Sequence, residues 1–257
     1  MPQPPDFPGL KRRELLAGLG AAAVSGLAAG AEPLREAQVQ AWDISTDVLV
    51  AGSGAAGASA AIEARQAGAD VLLIESLPRF GGSSAMSAGV VYAGAGTALQ
   101  RALGVADTVE AMSSFIIGAG GPQPPLDKIQ LYCEQSPAHF GWLVAQGVPY
   151  AEKLSPAMTV PTDGESLYFS GAERAWPGRD LAVPAPRGHV PVARGMTGGR
   201  VLMEALLARL DVLGVVRLAS VAGQRLVLAG DGRVLGMEVN MAGERKTIRA
   251  RRGVVLA

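Results

Sequence analysis

The chain has 257 residues, 49% hydrophobic and 18% charged, which gives one large domain or two small ones a sizeable core and excludes a wholly disordered chain. Lys+Arg and Asp+Glu both number 23, and zero net charge argues against a general nucleic-acid binder, so no nucleic-acid partner is expected. One cysteine, Cys133, and two histidines, His139 and His189, leave no internal disulfide, Cys-ligated cluster or His-rich metal site for this chain to build alone.

In chain order, residues 1–31 read as an export signal. Lys11-Arg12-Arg13 is a positive region, an Ala/Gly/Leu run follows, and Ala29-Gly30-Ala31 is a small-residue end before Glu32-Pro33. The paired Arg12-Arg13 resembles a twin-arginine signal, which predicts a periplasmic or extracytoplasmic destination for cargo folded around a cofactor. A short membrane anchor is the alternative; the run is just under the length of a span and is diluted by glycine. Residues 32–45 read as a polar linker, and 46–257 as the folded domain.

Val48-Leu49-Val50-Ala51 is an apolar run without alternation, as in a parallel strand buried on both faces. Gly52-Ser53-Gly54-Ala55-Ala56-Gly57 follows as GxGxxG, then an Ala-rich helix ending at Gly68, then a second apolar strand, Val71–Ile74, with Glu75 at its end. In this context each part serves a dinucleotide. Gly52 allows the tight turn, Gly54 the approach of a pyrophosphate, and Gly57 the close packing of helix on sheet. The amides of the helix start hold phosphate, and the Glu75 carboxylate accepts from ribose hydroxyls. Next comes a second small-residue loop, Gly81-Gly82-Ser83-Ser84, then Ala85-Met86-Ser87-Ala88-Gly89. It suits the ribityl chain and pyrophosphate of FAD, although a polar turn has the same composition.

Asp47 to Gly89 resembles the N-terminal FAD segment of the flavoproteins grouped with fumarate reductase and the 3-ketosteroid dehydrogenases. The resemblance is carried by DVLVAGSGAAG, the acid ending the second strand and the Gly-Gly-Ser-Ser loop. It implies an α/β fold: a Rossmann-like FAD-binding domain with a parallel sheet plus a small antiparallel β-meander. By position it implies FAD contacts at Gly52, Ser53, Ala55, Ala56, Glu75, Gly82, Ser83, Ser84, Ala88 and Gly89. Members with covalent FAD attach it to a histidine near this loop; none occurs here, so the resemblance implies non-covalent FAD.

Further along, helices are predicted from Asp107 to Ile117, from Leu126 to Glu134, and from Ser136-Pro137, read as cap and first position, to Gln146. His139 and Trp142 in the last one read as packing residues. Residues 148–199 read as mostly irregular, a length that marks a functional loop or a covered surface. There Tyr168 lies roughly where ketosteroid enzymes place an active-site tyrosine. Arg187-Gly188-His189, ahead of Gly195-Met196-Thr197-Gly198-Gly199, is similar to a stretch whose histidine holds a substrate carboxylate in fumarate reductases, at longer spacing. Aromatic packing for Tyr168 and a backbone bond for His189 are the alternatives.

Arg200 to Leu213 reads as a helix, and Val215–Ala219, Arg225–Ala229, Val234–Val239 and Thr247–Ala250 as strands, with Asp231-Gly232 as a hairpin turn. The resemblance assigns Val221 a backbone contact to adenine. The cluster Arg245, Lys246, Arg249, Arg251 and Arg252 reads as a solvated hairpin edge. Val254–Ala257 reads as a buried strand. In the resembling family a capping domain and a C-terminal FAD segment follow it, so the expectation is about half of a family enzyme: a fragment, a truncated gene product, or one piece of a larger assembly with a partner for the missing half.

The expected activity is that of an FAD-dependent oxidoreductase moving hydride between flavin and a C–C bond next to a carbonyl or carboxylate. The substrate is ketosteroid-like or a dicarboxylate, Tyr168 and His189 are the candidate acid/base groups, and the electron partner is open. The alternatives are a non-catalytic dinucleotide-binding module and a nicotinamide-dependent dehydrogenase.

Overall fold

Runs of β-branched and aliphatic residues separated by glycine turns make strands, and Ala- and Leu-rich stretches make the helices between them. In the computed structural model, which describes residues 32–170 and 172–257, the elements are β1 (Leu34–Arg35), β2 (Ile44–Ala51), α1 (Ala55–Gln66), β3 (Val71–Ile74), β4 (Val91–Tyr92), α2 (Ala98–Ala102), α3 (Val109–Ala119), α4 (Leu126–Ala145), β5 (Leu167–Tyr168), α5 (Gly178–Leu181), β6 (Gly188–His189), α6 (Gly198–Val212), β7 (Val216–Leu218), β8 (Val221–Leu228), β9 (Val234–Met241) and β10 (Glu244–Leu256). The export signal read over residues 1–31 lies outside the described residues.

Seven strands form one sheet in the order β1-β8-β9-β10-β2-β3-β7, and β4-β6-β5 form a small antiparallel sheet. β10/β2, β2/β3 and β3/β7 pair parallel, whereas β8, β9 and β10 are an antiparallel meander in the same sheet. Val50 and Leu73 pack with Ala58, Ile62, Leu206 and Leu210 of α1 and α6. Their neighbours Leu49, Leu72 and Ile74 pack on the other face with Val221, Met237, Val239 and Ile248. Burial on both faces is why β2 and β3 are apolar without alternation. Each fully buried aliphatic side chain there contributes about 1.5–3 kcal/mol. This is the expected α/β fold with its meander.

Four local expectations need correction. Residues 32–45 are not a free linker: β1 pairs with β8, and the Asp43 carboxylate accepts from the Thr247 N–H and hydroxyl at 2.8 and 3.1 Å. Pro137 does not start a helix but sits inside α4. Ile129, Cys133, Ser136, Phe140 and Leu143 make one buried stripe that runs through it. Ser136 is therefore no cap; its buried Oγ accepts from Gly94 N at 2.9 Å. The last two predicted strands are one, β10, with a register shift between Ala250 and Gly253. Because β10 lies between β9 and β2, its basic residues are not an edge. Arg251 Nε donates to Asp47 at 2.8 Å, and Lys246 pairs with Asp43 and Glu244.

Candidate functional site

The carboxyl ends of β2 and β3 open onto the start of α1, the place in an α/β sheet where ligands sit. Gly52 holds φ +109°, and a Cβ there would overlap the Ala257 carbonyl; one on Gly57 would overlap the Gly52 carbonyl oxygen. Only glycine fits at either position. Gly54 is the N-cap of α1 with no side-chain cap, and Ala56 in the first turn is exposed. Ser84 Oγ accepts from Ala55 N at 3.1 Å, so the second loop touches the helix start. Gly82, at φ +52°, lies against Gly54: a Cβ on it would meet the Gly54 Cα at 3.4 Å. Ser83 is exposed beside it. Ala88 and Gly89 pack on the start of α6, where Cβ atoms on Gly198 and Gly199 would overlap the Ala88 and Ser84 carbonyls.

Glu75 is buried and fully bonded. Oε2 accepts from Ser53 N at 3.1 Å and Ser53 Oγ at 2.5 Å; Oε1 accepts from Ser76 Oγ at 3.1 Å and Leu77 N at 2.9 Å. Burial pushes its carboxyl up, but the bonds from Ser53, Leu77 and Ser76 outweigh this and hold it below the ordinary value, so it is a carboxylate at neutral pH. Ser53 Oγ also accepts from Gly81 N at 3.0 Å. Beside this carboxylate is a cleft of about 650 Å³ lined by Gly52, Ser76, Leu77, Val221, Ala222, Gln224 and others. Val221 lines the cleft, and its N–H is spent on the Glu75 carbonyl at 2.9 Å. A cleft of this size, glycine cradles and a helix start with a glycine at its N-cap fit the phosphates and adenosine of FAD.

The two acid/base candidates lie on paired strands of the small sheet, but Tyr168 stands opposite Gly188 and His189 opposite Leu167, so their side chains project from opposite faces. Tyr168 is buried over Gly188, where a Cβ would overlap its ring. Burial, then the charge of Glu173, raises its pKa. His189 is fully buried. Nδ1 lies 3.0 Å from the Arg187 carbonyl and so carries the proton, leaving Nε2 to accept from Thr97 Oγ1 at 2.9 Å. Burial lowers its pKa to about 4, so it is neutral. Arg187 is also fully buried, with Nε and Nη2 on the two oxygens of Asp107 at 2.9 and 2.7 Å. Gln100 Nε2 completes the ring, donating to Asp107 and to the Pro186 carbonyl. Of the arginines in the 187–200 loop on which the dicarboxylate expectation rests, Arg187 is spent on Asp107, whereas Arg194 is exposed. His139 lies in another region, beside Trp142, whose Nε1 donates to Glu63 at 2.6 Å.

The sequence reading missed the second pair of partners on Glu75, the Gly81 amide and the Gly198-Gly199 contact. Only the last left a signal, two adjacent glycines opening a helix. The Asp107–Arg187 pair joins positions 80 apart and left none.

Residues 47–257 match the family described as FAD binding domain. The chain is 40% identical over 205 residues to the 3-oxo-5-alpha-steroid 4-dehydrogenase of Comamonas testosteroni, covering 77% of this chain and 38% of that protein. The structure of 3-ketosteroid-delta4-(5alpha)-dehydrogenase from Rhodococcus jostii RHA1 in complex with 4-androstene-3,17-dione superposes with TM-score 0.84 at 42% identity, over 88% of this chain and 48% of that one. A flavocytochrome c3 fumarate reductase in its open conformation gives TM-score 0.67 at 25% identity, over 96% and 36%. The chain thus spans less than half the length of these relatives.

Proposed function

Since the chain belongs to the FAD binding domain family, we propose that it is the FAD-holding part of an oxidoreductase that moves hydride between flavin and a C–C bond beside a carbonyl, with a 3-ketosteroid as substrate class. The observation that carries the cofactor reading is the join of Ser53, Glu75 and Gly81 beside the start of α1, where a glycine is the N-cap. Bound non-covalently there, FAD supplies the hydride acceptor or donor. The chain's own residues would bind and orient it: the α1 amides would face phosphate, Glu75 would anchor the ribose, and the 82–89 loop would hold the middle of the dinucleotide.

The steroid class is supported by the similarity to the two 3-ketosteroid enzymes. Tyr168, with a raised pKa, is a phenol at neutral pH and serves as a proton donor. His189, neutral and bonded at both nitrogens, holds Thr97 and the Arg187 loop in place. The same burial of both groups favours a second reading, an FAD-binding module that performs no chemistry itself. The Arg12-Arg13 pair supports twin-arginine export to an extracytoplasmic destination, and Arg12→Lys with Arg13→Lys is expected to retain the protein in the cytoplasmic fraction.

The test is the visible spectrum of the purified chain with added FAD. Bound flavin that bleaches with a saturated 3-ketosteroid, and not with succinate, is the expected result. Bound flavin that no ketosteroid bleaches gives the module reading. A chain that takes up no FAD overturns the proposal.

A further inference from the structure

Glu75 has two carboxylate oxygens with unlike surroundings. Oε2 is held by the N–H and hydroxyl of Ser53, a residue with no exposed surface, whose Oγ also accepts from Gly81 N. Oε1 is held by Ser76 Oγ and Leu77 N, and Ser76 and Leu77 both line the cleft. A carboxylate oxygen has room for about two good hydrogen bonds, so both oxygens are saturated without a ligand. A ribose hydroxyl can enter only by displacing a donor. The Ser53 hydroxyl is locked on both sides in the interior. The Ser76 hydroxyl is on an exposed residue and swings away by one rotation about χ1.

We infer that Ser53 is a positioning residue that pins Oε2 of Glu75 and ties it to the Gly81 loop, so that Oε1 alone faces the ribose, and that Ser76 is a placeholder which the ribose hydroxyl displaces. The inference rests on the FAD reading of this site. It alters the part expected of Ser53, from a contact on the dinucleotide to a support beneath the acid. Through Gly81 the same hydroxyl couples the ribose end of the site to the loop at its middle.

The test uses the 257-residue chain and two ligands, FAD and its analogue with a 2′,3′-dideoxyadenosine half, titrated by flavin fluorescence. Ser53→Ala removes a charge-assisted bond on the anchoring acid and is expected to weaken FAD binding by about tenfold. The analogue has no hydroxyl for Glu75 to receive, so its affinity changes less than about twofold. Ser76→Ala, at an exposed site that leaves folding intact, removes a competitor and is expected to tighten FAD by about two- to threefold, with the analogue unchanged.

An equal loss for both ligands in Ser53→Ala makes Ser53 a general structural support and overturns the positioning role. Weaker FAD binding in Ser76→Ala overturns the placeholder role, and this arm decides the matter if Ser53→Ala does not fold. Failure of the unmodified chain to bind either ligand overturns the FAD reading itself, a result distinct from both.

Discussion

Two regions of this molecule are dense in polar groups, and they use them in opposite ways. In the cradle formed by residues 52–57, 75 and 81–84, the groups lie beside a cleft: a helix start with a glycine at its cap, an exposed Ala56 and an acid whose partners Ser76 and Leu77 line that cleft. In the ring of Thr97, Gln100, Asp107, Arg187 and His189, the groups bond to one another and to backbone, and Arg187 and His189 have no exposed surface. An arginine and a histidine in a glycine-rich loop have the residue types of a substrate site. Burial and mutual bonding make them a clamp between residues 94–108 and 186–189. Residue type proposes chemistry; what remains unbonded and reachable decides whether it can be performed.

The largest expected effect tests the clamp. Asp107→Ala leaves the Arg187 guanidinium buried without its carboxylate, a loss of about 3–5 kcal/mol in urea unfolding. Replacing the pair by Asp107→Leu with Arg187→Met is expected to recover most of it. A loss below about 1 kcal/mol for Asp107→Ala breaks the comparison, because the ring then holds nothing.

Next is the pH dependence of His189. The folded chain keeps it neutral down to about 4, whereas the unfolded chain takes up a proton from about 6.5. Its contribution is therefore intact above pH 6.5 and is lost as pH falls from 6.5 toward 4, at about 1.4 kcal/mol per pH unit. Stability measured across that window is expected to fall less steeply in His189→Gln than in the unmodified protein. An unchanged slope places the histidine in contact with solvent.

The smallest effect on the fold sharpens the cradle. Ala56→Asp puts a negative charge at the start of α1, where it suits the helix dipole and shifts stability by less than about 1 kcal/mol in the favourable direction. The same charge faces the pyrophosphate, so FAD affinity is expected to drop about tenfold or more. Retained affinity in a titration with FAD moves the phosphates elsewhere.

The fold near the cradle was legible in the residues because each instruction there is local. A non-alternating apolar run, a glycine turn, an Ala-rich helix and a terminal acid lie within about thirty positions, and each needs only backbone sterics and its neighbours to act. The helix at Pro137 was misread for the converse reason: a local stop signal was overridden by a buried stripe that runs through it. The strand at residues 244–256 was read as two because its pairing changes from β9 to β2, partners at opposite ends of the sequence.

The sequence by itself determined the dinucleotide turn, the acid that follows and the family resemblance. Only the tertiary structure decided which donors hold each oxygen of Glu75, that Arg187 belongs to Asp107, and that Tyr168 and His189 lie on paired strands with their side chains on opposite faces. Spacing along the chain sets φ, ψ and the face of a helix or strand. Accessibility and protonation depend on which distant groups pack against a side chain, and that is settled when the chain closes on itself.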